Sequence, residues 1–178
     1  MQANFLKDQT GMNMQLSQLN LLIKFMDPQL YYHLVQANSD NLFCCFRSLL
    51  IRFKREFLIH DIMDIWERFW SNDHVHFHLF FALALLNAQR FQLLKLNAFD
   101  EILKFINTSA MNHNVLESLA RAHVLLELFE CRIASVSKSR LMIELPVTVD
   151  VDQQHQDTIC KDEEIIELIK LLELKYYK

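Results

Sequence analysis

The sequence predicts an all-α protein. Only one glycine and two prolines occur in 178 residues, whereas sheets and sandwiches need frequent turn residues. Hydrophobic residues make up 52% of the chain, enough for a substantial core. Leu16, Leu19, Ile23 and Met26 follow one another at three- and four-residue steps, which is the periodicity of an amphipathic helix. These observations together favour helices joined by short polar loops.

Capping signals and apolar periodicity predict the individual helices. Asp27 followed by Pro28 ends one helix and starts the next, because Asp can cap the free amides and Pro fits the first turn. Asn114 and Glu117 resemble a capping box at the start of the last helix, which we expect to end near residue 133. The earlier helices are predicted at residues 14–26, 29–35, 42–53, 58–70, 75–88 and 98–107.

The character of the sequence changes after residue 134. Residues 147–158 are polar, so residues 135–160 are predicted to form a polar linker. Residues 161–178 are predicted to form a C-terminal helix, acidic at its start and with lysines near its end, which suits the helix dipole. Residues 1–134 would then form the folded domain.

Composition excludes several classes of function. The formal net charge is −4, which gives no general attraction to nucleic acid. The most apolar stretch, residues 78–86, is about half the length of a membrane span. The four cysteines include no Cys-x-x-Cys pair and are interpreted as reduced thiols. We therefore expect a cytoplasmic protein with no transmembrane segment and no nucleic-acid partner.

The alternating histidines His74, His76 and His78 are the only pattern that suggests a metal site. On a strand they would share one side, but at a predicted helix start residues two apart diverge by about 200°. We therefore expect a capping or solvated role and no metal, and a metal-dependent enzyme is the third alternative. A single glycine excludes glycine-rich phosphate loops, and we expect no cofactor.

A small basic cluster, Arg52, Lys54 and Arg55, is a candidate partner-binding surface. Arginine and lysine at close spacing can hold a phosphate or an acidic partner. Glu56 and Asp61 lie close by in sequence. The alternative is therefore that these carboxylates neutralise the cluster in structural ion pairs.

One segment of the sequence resembles a known family. Residues 42–57, LFCCFRSLLIRFKREF, end in an Arg-Glu-Phe step and are followed by an Asp and then by Trp-Glu. This pattern resembles TBC domains, which are GTPase-activating domains for Rab GTPases, and the similarity covers about residues 4–129. It is closest to the subgroup of the human fifteenth and seventeenth TBC members and the yeast seventh Gyp protein, although Ser48 stands where that subgroup has Trp. The motif residues, which the resemblance implies are structural, are Phe46, Arg47, Arg55, Glu56, Phe57, Asp61, Trp66 and Glu67.

The resemblance implies that residues 1–134 are the C-terminal part of a TBC domain. In the family, an Arg from Ile-x-x-Asp-x-x-Arg stabilises charge on the transferred phosphoryl group, and a Gln from Tyr-x-Gln orients the attacking water. Residues 62–68 approach the first motif, but Asp64 comes one place early relative to Arg68. Gln9 lacks the Tyr, because Lys7 stands there. No catalytic residue is therefore assigned to this chain.

The implied function is part of a GTPase-activating protein for Rab GTPases in vesicle and endosomal traffic. Without the catalytic Arg and Gln, which are called the fingers of the domain, this chain is expected to be inactive alone and not itself an enzyme. Its expected partner is a Rab-type small GTPase, which would place it peripherally on endosomal or autophagic membranes. The alternative is a catalytically dead TBC-like helical module that binds a GTPase or an adaptor. A half-domain should also expose apolar surface where the other half packs.

Overall fold

All regular structure is helical within residues 2–5, 7–72, 74–109 and 113–143, which the computed structural model describes. A 3-10 turn at Gln2–Phe5 precedes eight α-helices in this part of the chain. The predicted all-α fold is confirmed. The helices are α1 (Thr10–Met26), α2 (Pro28–Gln36), α3 (Phe43–Leu50), α4 (Ile59–Ser71), α5 (Phe77–Ala88), α6 (Arg90–Leu93), α7 (Phe99–Ser109) and α8 (Val115–Ile143).

Two helix starts follow the local signals in the sequence. The Asp27 carboxylate accepts a hydrogen bond from the backbone N–H of Leu30 at 3.1 Å, and Pro28 is the first residue of α2. The Asn114 side chain accepts from the backbone N–H of Glu117 at 3.1 Å at the start of α8. Both caps satisfy amides that a helix leaves free at its first turn, and both Asp27 and Asn114 are confirmed as caps. The Glu117 carboxylate, which a capping box would direct back to Asn114, is paired with Arg121 at 2.9 Å.

The predicted helix at residues 42–53 is too long, because α3 already ends at Leu50. Arg52 and Phe53 have φ angles of 52° and 65°, a left-handed conformation that stops an α-helix. The backbone N–H of Phe53 donates to the carbonyl of Ser48 at 2.7 Å and so satisfies an end carbonyl of α3. Residues 51–57 form a turn in place of the last helical turn, and we call them the basic turn.

The last described helix, α8, is longer than predicted. It runs to Ile143, about ten residues beyond the predicted end near residue 133. Neither glycine nor proline occurs between residue 133 and Pro146, so no strong helix breaker occurs there. α8 therefore overlaps the start of the predicted linker. Residues 144–160 of that linker and the predicted helix at 161–178 lie outside the described residues.

α5 is the centre of the core. It is apolar almost all round, and its residues from Phe77 to Ala84 are all buried. α1, α3 and α8 pack against it. The Phe81 ring meets those of Phe53 and Phe69 at centroid distances of 5.0 and 5.5 Å. Such aromatic contacts add to the burial of large apolar surfaces.

The central position of Phe81 predicts a large effect on stability. Phe81→Ala should lower the free energy of unfolding by about 3–5 kcal/mol, since it removes a fully buried ring and leaves a cavity. Phe91→Ala is the matched control, because Phe91 is 76% exposed, and should change stability by less than about 0.5 kcal/mol. Urea unfolding followed by circular dichroism measures both. Similar midpoints for the two variants would contradict the central role of Phe81.

Candidate partner-binding surface

The basic turn places its three cations in different environments. Lys54 and Arg55 are exposed, and Arg52 is half-buried. Within the described part of the chain, no carboxylate forms an ion pair with any of the three. The candidate surface named from the sequence therefore keeps its positive charge in the folded chain.

The two nearby acids that could have neutralised the cluster have other partners. Glu56 is 2% exposed, and its Oε1 accepts from Nε of Arg47 at 3.0 Å. This ion pair links α3 to the basic turn. Asp61 lies 3.3 Å from the ring of His60, its neighbour on α4. The alternative in which Glu56 and Asp61 neutralise the cluster is therefore wrong for this structure.

Trp66 holds the basic turn against α4. Its indole N–H donates to the backbone carbonyl of Arg52 at 2.8 Å. Arg52 is one of the two left-handed residues, so this hydrogen bond acts where the backbone conformation is least favourable. The Trp66 and Trp70 rings lie 5.7 Å apart, one helical turn from each other. Trp66 thus connects the conformation of the turn to α4.

The other motif residues divide into inner and outer positions. Phe57 is buried and meets the Phe81 ring at 5.9 Å. Phe46 is partly buried and packs against the core, whereas Arg55 and Glu67 are exposed. A structural role for the exposed pair stays a prediction.

A surface cavity of about 170 Å³ lies beside the basic turn, and we call it the Arg52 pocket. Burial lowers the pKa of Arg52 to about 10, so its guanidinium is still protonated at neutral pH. The pocket is lined by Arg52, Trp66, Phe69, Trp70, Val75 and His78.

The three histidines are buried, so the expected solvated role is wrong. The expected capping role is not seen either at the start of α5, because the side chain of the N-cap residue His76 makes no capping hydrogen bond. His78 lies on the inner side of α5, and its Nε2–H donates to Oε1 of Gln15 at 3.0 Å. Nε2 of Gln15 in turn donates to Oδ1 of Asn4 at 2.6 Å. The His74 ring packs against Phe80 at 5.3 Å. The described residues contain no group of three or more His, Cys, Asp or Glu side chains placed to hold a metal ion.

The two near-matches to finger motifs lie on separate elements. Gln9 is exposed, has a φ of 54° and directly precedes α1. Arg68 is exposed on α4 and lines a groove with His123 of α8. The structure thus gives no arrangement that unites them in one site. In the same described region, no helix combines the length and apolarity needed to span a bilayer.

The Rab-GTPase-TBC domain family matches residues 1–94. The chain belongs to this family, as the resemblance of residues 42–57 indicated.

Individual relatives place the chain within the family. It is 45% identical over 132 residues to the GTPase-activating protein GYP7 of Saccharomyces cerevisiae, covering 73% of this chain and 18% of that protein. It is 40% identical over 147 residues to GYP7 of Debaryomyces hansenii, covering 82% and 19%. With human TBC1 domain family member 17 it shares 41% over 127 residues, covering 70% and 19%. These relatives confirm the predicted subgroup, and the chain spans less than a fifth of the length of each.

The Arg47–Glu56 ion pair should show strong coupling in a double-mutant cycle. Arg47→Met leaves the Glu56 carboxylate buried without its cation and should cost about 3 kcal/mol. Arg47→Met combined with Glu56→Leu should cost less than the sum of the single changes, with a coupling of about 1 kcal/mol or more. The exposed pair Glu117 and Arg121, one helical turn apart at 2.9 Å, is the control, with an expected coupling of about 0.3–0.5 kcal/mol.

Urea midpoints of the single and double variants measure both couplings. Additive effects at Arg47 and Glu56 would show that the pair does not link α3 to the basic turn.

Burial of His78 should make the stability dependent on pH. Burial, and then the charge of Arg52, hold the pKa of His78 well below its usual value, whereas the unfolded side chain titrates near about 6.5. The unfolded state therefore binds more protons, and stability falls as pH drops below about 6.5 towards the folded pKa. Between pH 7.5 and about 5.5, the parent chain should lose about 1 kcal/mol more than His78→Gln.

Urea unfolding at the two pH values measures this difference. The quantity compared between the parent chain and His78→Gln is the change in the free energy of unfolding from one pH to the other. His60→Gln is the control, because the His60 side chain is 72% exposed. An unchanged pH dependence in His78→Gln would contradict the assignment.

Proposed function

We propose that this chain is the C-terminal part of a TBC domain in a GTPase-activating protein that acts on Rab GTPases. The observation that carries the proposal is the family match over residues 1–94, which includes the complete motif around the basic turn. Two relatives that cover 82% and 73% of the chain are named as GTPase-activating proteins. The partner would be a Rab-type small GTPase on the cytoplasmic side of endosomal or autophagic membranes.

In this function, the chain supplies a scaffold and part of the GTPase-facing surface. The buried α5 and the Arg47–Glu56 pair fix the basic turn, and the turn presents Lys54 and Arg55 to solvent. From the resemblance, we expect the catalytic Arg and Gln in the N-terminal half of the domain. An arginine finger accelerates GTP hydrolysis by about three to five orders of magnitude. The chain alone should therefore give negligible stimulation.

A chimera tests whether the chain performs this scaffolding role. The 132 residues of Saccharomyces cerevisiae GYP7 that match this chain are replaced by their counterparts here, and GTP hydrolysis is measured on a panel of purified Rab GTPases. The chimera should stimulate at least one Rab that intact GYP7 stimulates, because the relative contributes the remainder of the domain. The full chain alone should stimulate none.

The controls separate folding from function. Circular dichroism establishes that the chimera is folded, and a chimera carrying Phe81→Ala should be less stable and should stimulate less. A folded chimera without stimulation of any Rab would contradict the scaffold role. Stimulation by the chain alone would show that it carries a catalytic group, and Gln9 and Arg68 would be the first residues to substitute. Pull-down of a Rab without stimulation in either format would favour the catalytically dead binding module.

A further inference from the structure

The Arg52 pocket combines one cation with apolar walls. Trp66, Phe69 and Trp70 line it from α4, and Val75 lines it from the segment before α5. No Asp or Glu of the described residues lines it. Burial and the nearby Arg52 charge hold the pKa of His78 well below its usual value, so the imidazole is neutral at pH 7. Arg52 is therefore the charged group of this pocket at neutral pH.

Among the described residues, no carboxylate pairs with the half-buried Arg52 guanidinium. A cation that is partly removed from water loses solvation energy, and an ion pair with charge-assisted hydrogen bonds restores it. Glu56 and Asp61, the closest acids in sequence, are engaged with Arg47 and His60. An anion supplied from outside would complete the electrostatics of the pocket.

The size and shape of the pocket favour a carboxylate as that anion. At about 170 Å³, the pocket is smaller than the roughly 300–1,000 Å³ of sites for drug-sized ligands. It suits a single side-chain group. The two parallel donors of a guanidinium fit a carboxylate and a phosphate alike. A carboxylate has one negative charge, which the single arginine lining the pocket balances, whereas a phosphate carries more than one.

The outer side of α4 carries exposed apolar side chains next to the Arg52 pocket. Ile59, Met63 and Trp70 are 72%, 56% and 68% exposed. With the half-buried Trp66 they recur at three- and four-residue steps, so they form one stripe along the helix. The stripe leads to the pocket, because Trp66 and Trp70 belong to both. A segment that fills the pocket would lay its neighbouring side chains on apolar surface.

We propose that the Arg52 pocket binds the carboxylate of an Asp or Glu side chain on a partner protein, with apolar residues beside that acid packing along α4. Arg52 forms the ion pair, and Trp66 and Trp70 cover the stem of the acidic side chain. This inference goes beyond the proposed function, because it requires neither GTP hydrolysis nor a Rab.

Tryptophan fluorescence tests the proposal directly. The chain has two tryptophans, Trp66 and Trp70, and both line the pocket. The full chain is titrated with the acetylated and amidated tripeptide Leu-Glu-Leu, and in parallel with Leu-Gln-Leu. The Glu peptide should give a saturable change in emission, and the Gln peptide should bind about tenfold more weakly, as expected for loss of a charge-assisted hydrogen bond. Raising the salt concentration from about 0.05 M to about 0.5 M should lower the affinity of the chain for the Glu peptide.

Substitutions in the basic turn test which cation binds the peptide carboxylate. Arg52→Gln should lower the affinity for the Glu peptide about tenfold and leave the affinity for the Gln peptide unchanged. Lys54→Gln and Arg55→Gln are matched controls, because they remove exposed cations from the same turn, and each should change affinity less than about twofold. Circular dichroism checks that the variants fold. If Arg52→Gln does not fold, the comparison of Glu and Gln peptides on the parent chain still decides.

Four results would overturn the proposal. Equal binding of the two peptides would show an apolar groove without a carboxylate site. Unchanged binding to folded Arg52→Gln would place the recognition elsewhere. Tighter binding of inorganic phosphate than of the Glu peptide would assign the pocket to a different anion. No saturable change with the Glu peptide would show that the pocket does not bind this group.

Discussion

The insertion of Phe53 into the aromatic cluster on α5 is the contact on which the rest of this structure depends. Phe53 is 2% exposed and meets the Phe81 ring nearly at right angles. To reach that position directly after α3, the backbone turns through two left-handed residues. Such a conformation costs roughly 1–2 kcal/mol per residue, and the burial of a full ring offsets it. The reversal then leaves the carbonyl of Arg52 facing Trp66, which ties α4 to the same point.

This reversal also divides the charges between the interior and the surface. Glu56 follows it, lies inside and pairs with Arg47, so the only acid of the basic turn is taken up by a structural contact. Lys54 and Arg55 remain outside, and Arg52 stays at the boundary. The same backbone geometry that fixes the core therefore produces an unneutralised positive edge.

The parts of this structure that local signals determine were predictable, and the parts set by tertiary contacts were not. The Asp27 and Asn114 caps act within three residues, so the sequence alone identified them. The early end of α3 results from the docking of Phe53 on a helix about 30 residues further along, which no local pattern shows. The burial of His74, His76 and His78 was not predicted for the same reason, because residues of other elements bury them. The basic cluster was found by composition, but its lack of ion pairs needed the positions of Glu56 and Asp61.

The hydrogen-bonded row from Asn4 through Gln15 to His78 joins the first described turn, α1 and the central helix. Asn4 also donates to the carbonyl of Leu50 at the end of α3. All three side chains of the row are buried, so their polar atoms need hydrogen-bond partners inside the protein. A shortened chain that began after Asn4 would leave the Gln15 amide without this acceptor in the interior. The practical limit for trimming the N-terminus is therefore set by one buried asparagine.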